Sequence, residues 1–324
     1  MKTLSVIVPC YNEELVINTC YARLKSVLDT LDLDTEIIFI NDGSKDKTYD
    51  ILTAIAAENP KVTVINFSRN FGHQAAVTAG IHHCQSDLAV IIDADLQDPP
   101  ELIPELIECQ EKEEANVVYC VRKLRSGESK FKLWSAKVFY RTLNRMSEVK
   151  FPLDTGDFRL IDSRIIHEFK RFKERGKYIR GLISWVGFKQ VPFYYERDIR
   201  YAGETKYPLK KMLAFGSKAL FYFSKKPLQM SISLGFIAVL IGIIMALWYM
   251  FGKIFGYTNA ESGWTSIMIS IIFFGGIQLL TIGVLGQYIG ILFDEVKERP
   301  EYIIEDVIKK EHPKNHLLEE QLKK

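Results

Sequence analysis

The sequence predicts an α/β fold: a parallel, Rossmann-like sheet, followed by a lysine-rich juxtamembrane helix and two transmembrane helices. Three observations carry this reading. Apolar runs of strand length alternate with helical patterns along the first two thirds of the chain. The first four of those strands each end in a cluster of polar residues. Two long stretches beyond Leu228 contain no charged side chain.

The strands read as Leu4–Pro9, Glu36–Ile40, Val62–Asn66, Leu88–Asp93 and Asn116–Cys120. Helical patterns fill the intervals at Glu13–Leu31, Lys47–Glu58, Phe71–His83 and Pro100–Glu114. Continuous Val/Ile runs suit strands covered on both faces, and regular strand–helix alternation gives a parallel sheet. Ligands on such sheets gather at the carboxyl ends of the strands. Those ends are Pro9-Cys10-Tyr11-Asn12-Glu13, Asn41-Asp42-Gly43-Ser44, Phe67-Ser68-Arg69-Asn70-Phe71-Gly72 and Asp93-Ala94-Asp95-Leu96-Gln97-Asp98. Packing alone does not ask for four polar strand ends along one edge.

Several function classes are argued against. The net charge is +2, so global electrostatics does not point to nucleic acid. No G-x-G-x-x-G follows the first strand and no G-x-x-x-x-G-K-[ST] is present, so dinucleotide and P-loop signatures are missing. The five cysteines have no C-x-x-C spacing and read as reduced thiols rather than zinc ligands. Leu4–Pro9 is too short for a signal h-region, which predicts that the N-terminal domain stays in the cytosol.

Leu228–Gly252 and Ser262–Phe293 are uncharged. Crossing the hydrocarbon core takes about 20 apolar residues, so both runs suffice and the spans are placed at about 228–252 and 264–293. Trp248, Tyr249, Trp264 and Tyr288 lie near the ends, where aromatic anchors belong. Lys210, Lys211, Lys218, Lys225 and Lys226 precede the first span, and Lys297, Arg299, Lys309 and Lys310 follow the second. The positive-inside rule then makes both termini cytoplasmic. Leu209–Phe223 mixes lysines with Leu, Met and Phe, which suits a helix in the membrane interface; an amphipathic helix packed on the domain is the alternative.

Asp93 and Asp95 supply the means of holding a diphosphate. Two carboxylates one residue apart at a strand end can bind a divalent ion that bridges phosphate oxygens. Asp-x-Asp alone occurs often by chance, as a solvated turn. Three polar strand ends beside it favour the metal reading.

These residues together resemble glycosyltransferase family 2 of the GT-A fold: Val6–Pro9 with Tyr11-Asn12-Glu13, Asn41-Asp42-Gly43-Ser44, and Asp93-Ala94-Asp95-Leu96-Gln97. Within it, Asp98-Pro99-Pro100-Glu101, the Asn70-Phe71-Gly72 loop and the paired C-terminal spans resemble the polyprenyl-phosphate glycosyltransferases. Among these the bactoprenol glucosyltransferases of O-antigen (lipopolysaccharide) glucosylation are closest, and dolichyl-phosphate mannosyltransferases are related. The resemblance implies an inverting, metal-dependent hexosyltransferase of the bacterial inner membrane with a cytoplasmic catalytic domain. Its donor would be UDP-glucose and its acceptor undecaprenyl phosphate; GDP-mannose or another UDP-sugar is the alternative donor. Pro9, Tyr11, Glu13, Asp42, Asp93 and Ala94 would line the nucleotide-sugar site, with Asp95 and Gln97 as ligands of Mg²⁺ or Mn²⁺. Arg122, Arg200 and Lys206 would meet the acceptor phosphate. Asp157 falls where relatives carry a catalytic acidic residue, and would act either as a base or as a positioning group. Arg180-Gly181-Leu182-Ile183-Ser184-Trp185 only loosely echoes the Gln-x-x-Arg-Trp of processive synthases, which argues against a polymerase.

The resulting domain plan is a catalytic domain at 1–208, an interfacial helix at 209–226, the spans at 227–293 and a charged tail at 294–324, whose Glu305–Lys324 portion reads as a mobile or peripheral helix. Gly286-Gln287-Tyr288-Ile289-Gly290 is a G-x-x-x-G suited to close helix approach, which suggests a homo-oligomer, plausibly a tetramer.

Overall fold

The computed structural model describes residues 1–123, 155–174, 177–196, 224–255 and 263–310. They fall into two compact units. One begins at Met1 and takes up the chain again from Arg299; the other holds the two long apolar helices.

The first unit is built on an eight-stranded sheet with the order β7-β5-β6-β4-β1-β2-β3-β8. Its strands are β1 (Thr3–Cys10), β2 (Asp34–Asn41), β3 (Val62–Phe67), β4 (Leu88–Ile91), β5 (Val117–Arg122), β6 (Thr155–Asp162), β7 (Gln190–Tyr195) and β8 (Ile304–Lys309). Its helices are α1 (Ile17–Leu28), α2 (Thr48–Glu58), α3 (His73–His83), α4 (Ile103–Glu113), α5 (Ser163–Arg171) and α6 (Ile179–Val186). A single 3₁₀ turn at Pro100–Leu102 leads into α4. All the strands and helices predicted before residue 121 are present. The central strands β4-β1-β2-β3 are parallel as expected. The sheet as a whole is mixed: β6 runs antiparallel to β4 and β5, and β8 antiparallel to β3.

Side chains on β1 alternate between two buried layers, as strand geometry requires. Leu4, Val6 and Val8 join Phe39, Val64, Val90 and Leu160 in the main core. Ile7 faces α3, and α3 lies so close that a Cβ on Gly80 would sit 2.3 Å from Ile7 Cγ2. That close approach sets the spacing of α3, which begins at His73, from β1.

The predicted tail helix is corrected by β8. Ile304, Asp306 and Ile308 are half-buried while Glu305, Val307 and Lys309 are exposed, a period of two rather than 3.6. The outer edge of β3 offers unpaired backbone groups, and β8 satisfies them along Thr63–Phe67. The docking continues upstream: Ser68 N donates to Ile303 O, Tyr302 stacks on Phe67 at 5.1 Å, and Lys177 Nζ donates to Glu301 at 2.9 Å. Residues 299–310 are thus part of the first unit rather than a peripheral tail, and 311–324 lie outside the described residues.

The second unit comprises α7 (Lys226–Ile254) and α8 (Trp264–Val296). Each contains a 27-residue stretch long and apolar enough to cross a membrane. At 1.5 Å per residue such a stretch is about 40 Å long, against a hydrocarbon core of about 30 Å. Phe236 and Trp248 on α7 and Leu279 on α8 are more than two thirds exposed. Surfaces this apolar need lipid or protein around them. The two helices pack on each other, with Phe274 against Gly242, and Tyr288 Oη donates to Ser224 O at 2.6 Å. A Cβ on Gly286 or Gly290 would meet nothing within 4 Å, so the G-x-x-x-G is not used between α7 and α8. Leu209–Phe223, Arg200 and Lys206 lie outside the described residues.

Candidate active site

The carboxyl ends of β1, β2 and β3 are tied together by polar contacts. Asn12 takes a left-handed backbone, φ 54°, and its Oδ1 accepts from Lys45 N while its own N–H donates to Ser44 Oγ. Glu13 N donates to Thr48 Oγ1 at the start of α2. Asp42 is buried, and its carboxylate accepts from Phe71 N, Gly72 N and Asn70 Nδ2 at 2.7, 3.0 and 2.9 Å. Burial pushes Asp42 up, against the two backbone donors. Asp42, expected in the nucleotide-sugar site, has its oxygens bonded to the loop that leads into α3. Pro9 is a buried strand residue paired with Ile40, and Ala94 is in the core, so neither side chain lines the open face.

Gly43 allows these loops to meet. Its φ is +61°, and a Cβ there would lie 2.4 Å from the Arg69 carbonyl carbon. Gly43→Ala should cost about 2–5 kcal/mol, combining about 1–2 for the left-handed backbone with about 1–3 for overpacking. Chemical denaturation of the variant checks this; a loss under about 1 kcal/mol would show that the loops separate freely.

The β4 end is arranged by alternation. Asp93, Asp95 and Gln97 are partly exposed, while Ala94, Leu96 and Asp98 are buried. Leu96 adopts φ 58°, uncommon for a leucine. Gln97 N donates to Asp95 Oδ1 at 3.2 Å. Asp93 Oδ1 is buried and has no hydrogen-bond partner. Burial raises the Asp93 pKa to about 6, with help from Asp157, Asp98 and Asp95 and against His73. Among the described residues no three His, Cys, Asp or Glu side chains form a metal cage. A carboxylate pair with an amide oxygen beside it is instead a partial set of hard oxygen donors. Such donors suit a hard divalent cation such as Mg²⁺ or Mn²⁺.

Asp157 on β6 is also buried, and it is fully engaged. Arg180 on α6 donates to it through Nε at 2.7 Å and Nη2 at 3.1 Å. His73 Nε2 lies 3.0 Å from its Oδ2. Burial opposes ionisation, but Arg180 and His73 hold the Asp157 pKa well below the usual carboxylate range. His73 Nε2 is also 3.6 Å from Asp93 Oδ1. Burial works against the imidazolium, yet Asp93 and Asp157 together raise its pKa to about 9. A proton held more tightly in the folded than in the unfolded state stabilises the fold fully below the unfolded pKa of 6.5. That stabilisation is lost as pH rises from 6.5 through about 9. Thermal melts across this window should fall with pH, and His73→Gln should flatten the slope.

Arg122 is the last residue of β5, across from Tyr195 of β7. A Cβ on Gly156 would sit 2.6 Å from its Nη2, so the bare backbone of β6 accommodates the guanidinium. Tyr195 Oη donates to the buried Asp98 in a short hydrogen bond. Against burial, Asp98 and Tyr195 keep Arg122 firmly charged. His73 and Tyr195 had no motif to mark them. Arg180 lay in the loose echo of a polymerase motif, which gave no sign of its bond to Asp157.

Comparison with known proteins agrees with this architecture. Residues 5–169 match the family model for glycosyl transferase family 2. YkcC of Bacillus subtilis, described as an uncharacterized glycosyltransferase, is 48% identical over 301 residues, covering 93% of both chains. A prophage bactoprenol glucosyl transferase homolog of Escherichia coli K12 is 38% identical, over 94% of this chain and 99% of the relative. The bactoprenol glucosyl transferase of Shigella phage SfII is also 38% identical, over 96% of this chain and 99% of its own. With that match, and with relatives similar along nearly their whole length, the chain belongs to glycosyltransferase family 2.

Proposed function

We propose that this protein transfers glucose from UDP-glucose to undecaprenyl phosphate at the cytoplasmic face of the bacterial inner membrane, inverting the anomeric centre. The observation that carries the acceptor class is the state of Asp157. A carboxylate held by a bidentate arginine and an imidazole is a poor base. An acceptor hydroxyl would need a base; a lipid phosphate is already ionised and attacks unaided. The names of the bactoprenol relatives support the same acceptor. The exposed apolar surfaces of α7 and α8 support membrane association, where such a lipid resides.

Asp95 and Gln97 would hold Mg²⁺ or Mn²⁺, with Asp93 toward the ribose or diphosphate. Bound there, the ion would neutralise charge on the departing nucleoside diphosphate. Tyr11, Glu13 and the Asn41–Ser44 loop shape the nucleoside side, and Asp42 keeps that loop in place. Arg122 on β5 offers a fixed cation for the acceptor phosphate, joined by Arg200 and Lys206. Asp157 positions rather than deprotonates. The phosphate oxygen displaces the nucleoside diphosphate in one step, so the product is a β-linked lipid-phosphate sugar. Self-association through α8 remains part of this proposal, Gly286 and Gly290 being open to a second copy.

Purified protein in vesicles containing undecaprenyl phosphate tests the reading, with labelled UDP-glucose and GDP-mannose supplied in separate assays. Labelled lipid from UDP-glucose alone is expected. Transfer only from GDP-mannose would overturn the choice of sugar, and no lipid product from either would overturn the acceptor.

A further inference from the structure

His73 has no part in the reaction described so far, yet it stands between two acidic groups of the site, Asp93 and Asp157. It is the first residue of α3. Its position is over-determined: Gly80 seats α3 on Ile7, and Asp42 grips the backbone of Phe71 and Gly72 immediately upstream. Its Nε2 lies 3.0 Å from Asp157 Oδ2 and 3.6 Å from Asp93 Oδ1. That Asp93 oxygen is buried and has no hydrogen bond. The opposite side of Asp157 is held by Arg180.

Two carboxylates this near a common point repel one another and tend to splay or to share a proton. The ring between them keeps the pair apart: its Nε2 is hydrogen-bonded to Asp157 and stands at ion-pair distance, 3.6 Å, from Asp93 Oδ1. From this geometry we infer that His73 is a positioning residue that clamps Asp93 of the donor side to Asp157 through Nε2, fixing the gap in which the sugar is held between donor and acceptor. The inference rests on the functional reading above. It deepens that reading: Asp42, the loop Asn70–Gly72 and His73 form one relay from the nucleoside end of the sheet to Asp157. A reacting-centre misplacement of about 1 Å costs about a hundredfold in rate, so the clamp should act on turnover more than on donor binding.

Two polar substitutions test it without emptying the site. His73→Gln carries an amide nitrogen to nearly the place of Nε2; His73→Asn reaches only as far as Nδ1. Both are assayed in vesicles for kcat and for the KM of UDP-glucose, beside the wild type and Asp157→Asn. We expect His73→Asn to lower kcat about a hundredfold with KM changed less than about threefold. His73→Gln should recover at least a tenth of wild-type kcat. In the Asp157→Asn background His73→Asn should cost far less, because the clamp already lacks one jaw. Equal kcat for the two His73 variants would overturn the inference, as would full additivity with Asp157→Asn. A wild-type chain with no transfer would instead overturn the functional reading, and the clamp with it.

Discussion

Asp95→Asn should abolish sugar transfer while leaving the fold intact. The residue is partly exposed, and an asparagine oxygen can still accept from Gln97 N as Asp95 Oδ1 does. Structure therefore loses little. The lost charge matters for chemistry: a divalent ion stabilising a leaving diphosphate contributes several kcal/mol, and each 1.36 kcal/mol is tenfold in rate. Turnover should fall by about a thousandfold or more. Titration of nucleotide with and without Mn²⁺ separates the causes: the variant should lose the metal-dependent part of nucleotide affinity and keep the rest. Transfer at the wild-type rate would refute the assignment of the metal to Asp95 and Gln97.

Glu301→Ala should destabilise the first unit strongly. Lys177 is 5% exposed and Glu301 13%, with Nζ 2.9 Å from Oε2. Removing the glutamate strands a buried ammonium, at about 3–5 kcal/mol. For a unit of this size that corresponds to about 10 °C in Tm. The damage should spread along the docked segment, since Tyr302 and β8 follow directly. His82 lies 3.1 Å from Tyr302 Oη and is kept neutral by burial and Lys177, its pKa lowered to about 4. Replacing both partners with apolar residues, Lys177→Met with Glu301→Leu, should recover most of the loss, because a well-packed apolar pair avoids the desolvation cost. A Glu301→Ala protein as stable as wild type would show that the segment is held by its strand alone.

Much of the fold was legible because parallel central strands are buried on both faces. Their continuous Val and Ile runs stand out, and the polar residues at their ends are then conspicuous. The strands that escaped notice are the less regular ones. β6 reads Thr-Gly-Asp-Phe-Arg-Leu-Ile-Asp, which looks like a loop; Asp157 and Arg159 are buried there only because each finds partners. β7 contains Pro192, tolerated because the strand is at the sheet edge. β8 alternates in the way a strand should, but its charges and its place after the spans suggested a solvated helix. The site divides the same way. Asp93, Asp95 and Gln97 are local and could be read. The His73–Asp157 contact spans 84 positions and Arg180–Asp157 spans 23. Such partners are chosen by the sheet, which brings β6 beside β4, and no local pattern encodes them.

The return of the chain to β3 has a topological consequence. β7 precedes the two apolar helices and β8 follows them, yet both are strands of one sheet. A chain that leaves a sheet and rejoins it can traverse a bilayer only an even number of times. The parity is imposed by backbone hydrogen bonds between β3 and β8, independently of any count of lysines. If α7 and α8 both cross a bilayer, skipping one of them would leave β8 on the opposite side from β3 and the β3 edge bare. An insertion error of that kind would surface as an error of folding.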